Sequence, residues 1–114
     1  MKLPNRHLAV VEHTKLAEYL LNPLHRYGAS KAQYFLWFGF RLENWEMLAE
    51  AFREHGQRHE VTGGEETPFG PRYEVEGELR TPDGRNPHIR TVWQVDKGQL
   101  APRLITAYPV DKIP

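Results

Sequence analysis

Side chains that could bind a phosphate gather toward the end of this 114-residue sequence. Residues 80–114 hold six basic and three acidic side chains, a net charge of +3, whereas residues 57–79 hold two basic and six acidic ones, a net charge of −4. A guanidinium donates hydrogen bonds in a fork that fits a phosphate. The candidates for substrate binding are Arg80, His88 and Arg103, with Arg85 and Arg90 nearby. The alternative to phosphate binding is that these basic side chains lie on a solvated sheet face, where neighbouring glutamates balance their charge.

Five side chains are candidates for proton transfer and charge stabilisation, namely His25, Lys31, Arg90, Thr106 and Tyr108. An imidazole titrates near neutral pH, so His25, in a predicted loop before a helix, suits a general acid or base. Lys31 follows in the first turn of that helix, where its charge and exposed amides would hold an anion. Each has a structural alternative: His25 would bond a backbone group in its turn, and Tyr108 would close the end of a sheet.

The elements that position these residues change type near Gly56. Helical spacing before it and strand spacing after it predict an α+β fold. We expect one domain, residues 1–114, with a helical half (8–56) and a β-meander half (57–110). The first predicted helix begins at Thr14 and ends at Asn22-Pro23, the second begins with a capping box at Ser30 and ends at Gly39, and the third ends at Gly56. Trp37, Trp45 and Trp93 are predicted to lie in the core.

Three strands are predicted at residues 73–79, 88–95 and 103–108, with a fourth considered near 60–67. Their short loops favour an antiparallel meander with helices on one face and water on the other. The period of two places His88 with Arg90, and Thr106 with Tyr108, on one face. Leu104 does not fit the phase of its strand.

Composition sets limits on the class of protein. Apolar residues make up 39% and charged residues 26%, and the mean hydropathy is −0.66, values typical of a folded domain in water and not of a membrane span. There is no cysteine, so disulfides, thiolate nucleophiles and cysteine zinc sites are excluded. The net charge is zero, so a nucleic acid would have to be bound by a local patch. The first residues predict no signal peptide, and a cytoplasmic location is compatible.

Two sets of motifs carry a resemblance to known families. The segments 89–93 and 103–109 resemble the closing strands of small bacterial toxin-type nuclease domains, the superfamily of barnase, EndoU, colicin-type nucleases and RelE. More closely, residues 3–110 resemble an uncharacterised bacterial domain family that occurs alone and at the ends of polymorphic toxins. The residues that carry this second resemblance are Asn22-Pro23-Leu24-His25, Gly28, Lys31-Ala32, Gly39-Phe40, Trp45 and Thr81-Pro82-Asp83-Gly84-Arg85.

The resemblance implies two or three helices on one face of a four-stranded antiparallel sheet and a metal-independent ribonuclease site on the other, with no cofactor. Such cleavage needs a base for the 2′-hydroxyl, an acid for the leaving oxygen and cations near phosphorus. We assign His25 as acid or base, Lys31 and Arg90 to charge stabilisation, and Thr106 and Tyr108 to hydroxyl contacts. The implied partners are an RNA substrate and a cognate antitoxin or immunity protein in the cytoplasm, with no membrane contact.

Two features leave alternatives open. Glu74, Glu76 and Glu78 lie on the expected outward face of an adjacent strand, where they would repel a phosphate backbone. The alternative function is therefore a non-catalytic protein-interaction module of the same fold. His55 and His59 are spaced as zinc ligands, but Gly56 is expected to break the helix between them, so no metal site is predicted.

Overall fold

The computed structural model describes residues 1–22, 24 and 29–110. Four strands form one antiparallel sheet in chain order, β1 (Val61–Thr67), β2 (Gly70–Glu78), β3 (His88–Gln94) and β4 (Arg103–Pro109). The helices precede them: α1 (His13–Lys15) continues directly as a π-helix (Leu16–Leu20), followed by α2 (Ala29–Trp37) and α3 (Trp45–Arg58), with 3₁₀ turns at Arg6–Leu8 and Leu42–Asn44. The predicted α+β fold and its antiparallel meander are confirmed, including the fourth strand.

The core lies between α3 and one face of the sheet. Val75, Ile89 and Trp93 point into it from β2 and β3 and are fully buried. The rings of Phe35 in α2 and Phe52 in α3 meet edge to face at 5.3 Å, so both helices share this core. Among the described residues, no helix is long and apolar enough to cross a membrane.

The boundaries of α2 agree with the prediction at one end only. The helix begins at Ala29, so Ser30 lies inside it and the predicted start at Ser30 is wrong. At the other end Gly39 has a φ of 100°, and the amide of Phe40 donates to the carbonyl of Phe35 at 3.3 Å. A left-handed residue just past the last turn is favourable for glycine, as predicted.

The predicted end of α3 at Gly56 is wrong, because the helix continues to Arg58. Gly56 faces the indole of Trp93, and a Cβ atom at this position would lie 2.6 Å from Cζ2 of that ring. Glycine is therefore needed here for close helix–sheet packing, and its low helix propensity is overridden by that packing.

A bulge in β4 explains why Leu104 did not fit the phase of its strand. Val92 pairs with Thr106, but the next residue, Trp93, pairs with Leu104, so Ile105 is the extra residue. Leu104 therefore faces the core with Trp93, while Thr106 keeps the opposite orientation.

The three tryptophans differ in burial. Trp93 is fully buried and Trp45 packs against the edge of the core, as predicted. The prediction for Trp37 is wrong, since this residue is 71% exposed. It is the last residue of α2 and projects into solvent where the helix ends.

Candidate functional site

The face of the sheet opposite α3 carries two rows of mainly polar side chains across β2, β3 and β4. Residues directly opposite each other in neighbouring antiparallel strands share a face. The first row is Glu76, Arg90 and Tyr108, and the second is Glu74, Val92 and Thr106. We call this surface the outer face.

Lys31 links α2 to the outer face. Its ammonium donates to the hydroxyl of Tyr19 at 2.7 Å and to the hydroxyl of Thr106 at 2.8 Å. The same Nζ atom lies 5.2 Å from the ring centre of Tyr19 and 5.5 Å from that of Tyr108, a cation–π geometry. Among the described residues no carboxylate forms an ion pair with Lys31. The ammonium therefore interacts with hydroxyl groups and aromatic rings.

Tyr19 is positioned by the π-helix, and its hydroxyl also lies 3.3 Å from that of Thr106. Partial burial of the phenol would raise its pKa. Hydrogen bonds with Lys31 and Thr106, and the charges of Lys31 and Lys15, outweigh that burial and hold the pKa of Tyr19 below its usual value. The phenol is therefore easier to deprotonate than an ordinary tyrosine.

Arg90 is held at the centre of the first row. Its Nη1 donates to the hydroxyl of Tyr108 at 3.0 Å, and its Nε donates to Oε1 of Glu76 at 2.8 Å, with a further bond from Nη2 to the same oxygen. Glu74 lies at 3.9 Å. The bonds to Tyr108 and Glu76 raise the pKa of Arg90, so the guanidinium remains charged. Its charge is already compensated by carboxylates, which is the electrostatic feature that the sequence indicated.

Four of the five predicted catalytic residues thus lie together: Lys31, Arg90, Thr106 and Tyr108. His25 lies outside the described residues. Two of the predicted substrate-binding residues also lie on the outer face: His88 is opposite Glu78 and two residues from Arg90, and Arg103 is opposite Gln94.

Two of the predicted substrate-binding residues, Arg80 and Arg103, are each paired with a carboxylate. Arg80 is exposed and pairs with Glu54 of α3 at 3.5 Å. Arg103 lies at the start of β4, where its Nε and Nη2 bond the two oxygens of Asp96 at 2.6 and 3.2 Å. The charge of each guanidinium is therefore already compensated.

The sequence did not predict Tyr19 as a member of the cluster, nor the bond between Glu76 and Arg90. Tyr19 lay within the first predicted helix and was given no role in the site. Its spacing of four residues from Lys15 was the one available signal, since such pairs meet on a helix, and Lys15 Nζ lies 5.5 Å from the ring. Glu76 is brought to Arg90 by strand register, which becomes visible only in three dimensions.

A second polar group, His55, lies on the core side of the sheet. Its Nε2 is 3.1 Å from the carbonyl of Gly77 and 3.2 Å from that of Ile89, and its Nδ1 is 2.9 Å from the hydroxyl of Thr91. Carbonyls only accept, so Nε2 carries the proton and Nδ1 accepts from the threonine. Burial, and then the charge of His59, lower the pKa of His55 to about 4.

The sequence spacing of His55 and His59 raised the possibility of a zinc site. The rings of His55 and His59 meet at 4.8 Å, and α3 is unbroken up to Arg58, so the expected helix break between the two histidines is wrong. However, both nitrogens of His55 bond protein groups, and Nε2 of His59 lies 2.8 Å from the carbonyl of Glu78. In the described part of the chain, no three His, Asp or Glu side chains are grouped to hold a metal ion.

The fold is similar to that of a solved chain from the contact-dependent growth inhibition toxin–immunity protein complex from Klebsiella pneumoniae 342. The TM-score is 0.69 at 17% sequence identity, and the alignment covers 94% of this chain and 97% of that chain. At this identity the likeness concerns the fold. The chain belongs to the family DUF6883, described as a domain of unknown function, whose model matches residues 2–111. No curated protein matches the sequence.

Proposed function

We propose that this protein is a toxin-type domain that cleaves RNA without a metal ion and is held in check by an immunity protein or antitoxin. The observation that carries the proposal is the meeting of Lys31 and Arg90 with two hydroxyls of β4, at Thr106 and Tyr108. Two further facts support it. The fold is shared with a chain of a toxin–immunity complex, and the sequence resembles the barnase, EndoU, colicin nuclease and RelE superfamily.

Lys31 is the proposed phosphate ligand. An ammonium has three N–H donors, and two are used by Tyr19 and Thr106. The third would donate to a non-bridging phosphate oxygen, where negative charge grows as the 2′-hydroxyl attacks phosphorus. Because no carboxylate in the described part of the chain pairs with Lys31, its charge would be available to substrate. The cations of the protein would thus do the work for which other nucleases use a metal ion.

Proton transfer needs two groups besides the cations. In the proposed reaction the 2′-oxygen bonds to phosphorus, its proton passes to the base, and the 5′-oxygen leaves with a proton from the acid. His25 remains the proposed acid or base from its sequence position. The Tyr19 phenol is a second candidate base, because its hydroxyl lies in the cluster beside Lys31 and its pKa is lower than that of an ordinary tyrosine.

Arg90 has a supporting place in this proposal. Glu76 fixes its guanidinium, which in turn donates to the Tyr108 hydroxyl and orients it. The remaining N–H groups of Arg90 and the Tyr108 hydroxyl would face a phosphate lying across β3 and β4. We assign the substrate contact mainly to Lys31 and a positioning role to Arg90.

The test is expression in bacteria and cleavage of RNA by the purified protein in the presence of a chelator. We expect wild type to degrade RNA and arrest growth. Lys31→Gln should lower the cleavage rate by about 100-fold, the size of effect seen when one charge-stabilising donor is removed. His25→Ala and Arg90→Ala should also slow cleavage, and DNA of the same sequence should stay intact, because it lacks the 2′-hydroxyl.

Lys97→Gln is the matched control, since Lys97 is exposed in the loop between β3 and β4. It should cleave like wild type. Intact RNA and normal growth with the wild-type protein would refute the ribonuclease proposal, and loss of cleavage with chelator would refute its metal independence.

A second candidate function is a non-catalytic protein-interaction module. It is favoured by one observation, the neutralisation of Arg90 by Glu76 and Glu74, which weakens the attraction of the outer face for RNA. Capture of one stoichiometric protein, with no nucleic acid and with an affinity that salt barely changes, would support this module. Such a result together with intact RNA would replace the enzyme proposal.

A further inference from the structure

Trp37 is 71% exposed, and yet both its ring and its backbone are in contact with another residue, Arg85. The guanidinium carbon of Arg85 lies 5.3 Å from the indole centre and 4.5 Å from the ring centre of Phe38. Nη2 of Arg85 also donates to the carbonyl of Trp37 at 2.7 Å. A cation therefore ties this exposed ring to the end of α2.

The support under the ring is itself braced by the loop between β2 and β3. Nε of Arg85 lies 2.5 Å from Oδ2 of Asp83, and the Asp83 amide donates to the carbonyl of Phe38 at 3.4 Å. Gly39 packs so closely on this loop that a Cβ atom there would lie 3.2 Å from Cβ of Pro82. A ring held on such a support loses little conformational entropy when it stacks on a ligand.

The position of this support relates it to Lys31. Lys31 lies in the first turn of α2 and Trp37 is its last residue, six residues or about 9 Å apart along the helix axis. Arg85 lies over Phe38 and is 48% exposed in its side chain. Two cations thus mark the two ends of α2, a span that a few nucleotides of single strand can cover.

We propose that Trp37 stacks on a nucleobase of a single-stranded RNA, with Arg85 as the residue that positions the indole. The proposal rests on the proposed function for the identity of the strand. Indole–base stacking is sequence-tolerant, because every base has a π-face, so this subsite adds affinity and sets no recognition sequence. Because Asp83 already pairs with Arg85, the preference for a negatively charged strand rests on the proposed function and on Lys31 near the start of α2.

The experiment is a fluorescence titration with a short single-stranded oligoribonucleotide whose 2′-hydroxyls are all methylated, so that it binds without being cut. Stacking should quench the Trp37 emission of wild type, and Trp37→Phe, which keeps Trp45 and Trp93, should show no such quench. Trp37→Ala, followed by anisotropy of a labelled oligonucleotide, should raise the Kd about tenfold, and Trp37→Phe, which keeps a π-face, should recover most of the loss.

Phe69→Ala is the matched control. Phe69 is 69% exposed and lies in the turn before β2, at the other end of that strand from the loop that carries Arg85. It should bind like wild type. An unchanged Kd in Trp37→Ala would overturn the proposal and leave the indole to a protein partner.

A parallel digestion of the unmethylated strand separates the two proposals. Trp37-dependent binding without cleavage would refute the ribonuclease and keep the stacking site, whereas cleavage with Trp37-independent binding would do the reverse. No binding of either strand would refute both.

Discussion

The two faces of β3 differ in burial and charge, although alternate residues of the same strand form them. On the core face, Thr91 and Trp93 are fully buried, and every polar atom has a partner: the indole nitrogen donates to the Thr91 hydroxyl at 2.8 Å, and that hydroxyl bonds His55. On the outer face, Arg90 stays partly exposed and charged beside Tyr108 and Glu76. The strand period of two keeps the charges off the core.

This difference separates the groups that stabilise the fold from those proposed to bind a substrate. A buried polar group stabilises the fold only if it is neutral and satisfied, which describes His55. A charged group that binds a substrate needs a donor left free for it, and Lys31, whose hydrogen bonds to Tyr19 and Thr106 use two of its three donors, has the role we propose. Substitutions on the two faces should therefore separate folding from function.

The largest expected effect is on the core face, with Trp93→Ala. Removal of this fully buried ring leaves a cavity between α3 and the sheet and leaves the close approach of Gly56 without a partner. We expect the free energy of unfolding to fall by about 3–5 kcal/mol. Chemical denaturation measures it.

Trp37→Ala is the control for the same side chain in water. Because Trp37 is 71% exposed, its removal should change the free energy of unfolding by less than about 1 kcal/mol. Similar losses in the two variants would contradict the assignment of Trp93 to the core and of Trp37 to the surface.

A smaller effect on the same face should come from acid, through His55. Its pKa of about 4 in the folded protein lies below the 6.5 of an unperturbed histidine, so the unfolded chain takes up the proton first as the pH falls. This contribution to stability is fully present above about pH 6.5 and is lost between pH 6.5 and 4. The loss amounts to about 3 kcal/mol, since each pH unit costs about 1.4 kcal/mol.

The measurement is the free energy of unfolding across that range, for wild type and for His55→Gln. Other groups titrate in both proteins, so the difference between their two curves reports His55. The pKa of His59 is also lowered, chiefly by burial, and this part should remain in the variant. Parallel curves for the two proteins would contradict a buried neutral His55.

Turn chemistry and strand alternation made much of the molecule predictable. Gly39 ends α2 because its left-handed backbone favours glycine locally, and the pairing of Thr106 with Tyr108 on one face follows from a period of two. The predicted end of α3 at Gly56 was wrong because a glycine is needed there for close contact with Trp93, which is far away in sequence. Tyr19 could not be assigned to the site for the same reason: its contact with Thr106 spans 87 residues.

The smallest expected effect is on the outer face, at the ion pair of Arg90 with Glu76. Both side chains keep about a quarter of their exposure, 29% and 25%, so water screens the pair. A double-mutant cycle with Arg90→Gln and Glu76→Gln should give a coupling of less than about 1 kcal/mol, reduced further by salt. The exposed pair of Arg53 and Glu50 on α3 is the comparison, with an expected coupling at or below that value. A salt-insensitive coupling of several kcal/mol would contradict this expectation and would mean that Arg90 has a structural role, as His55 does.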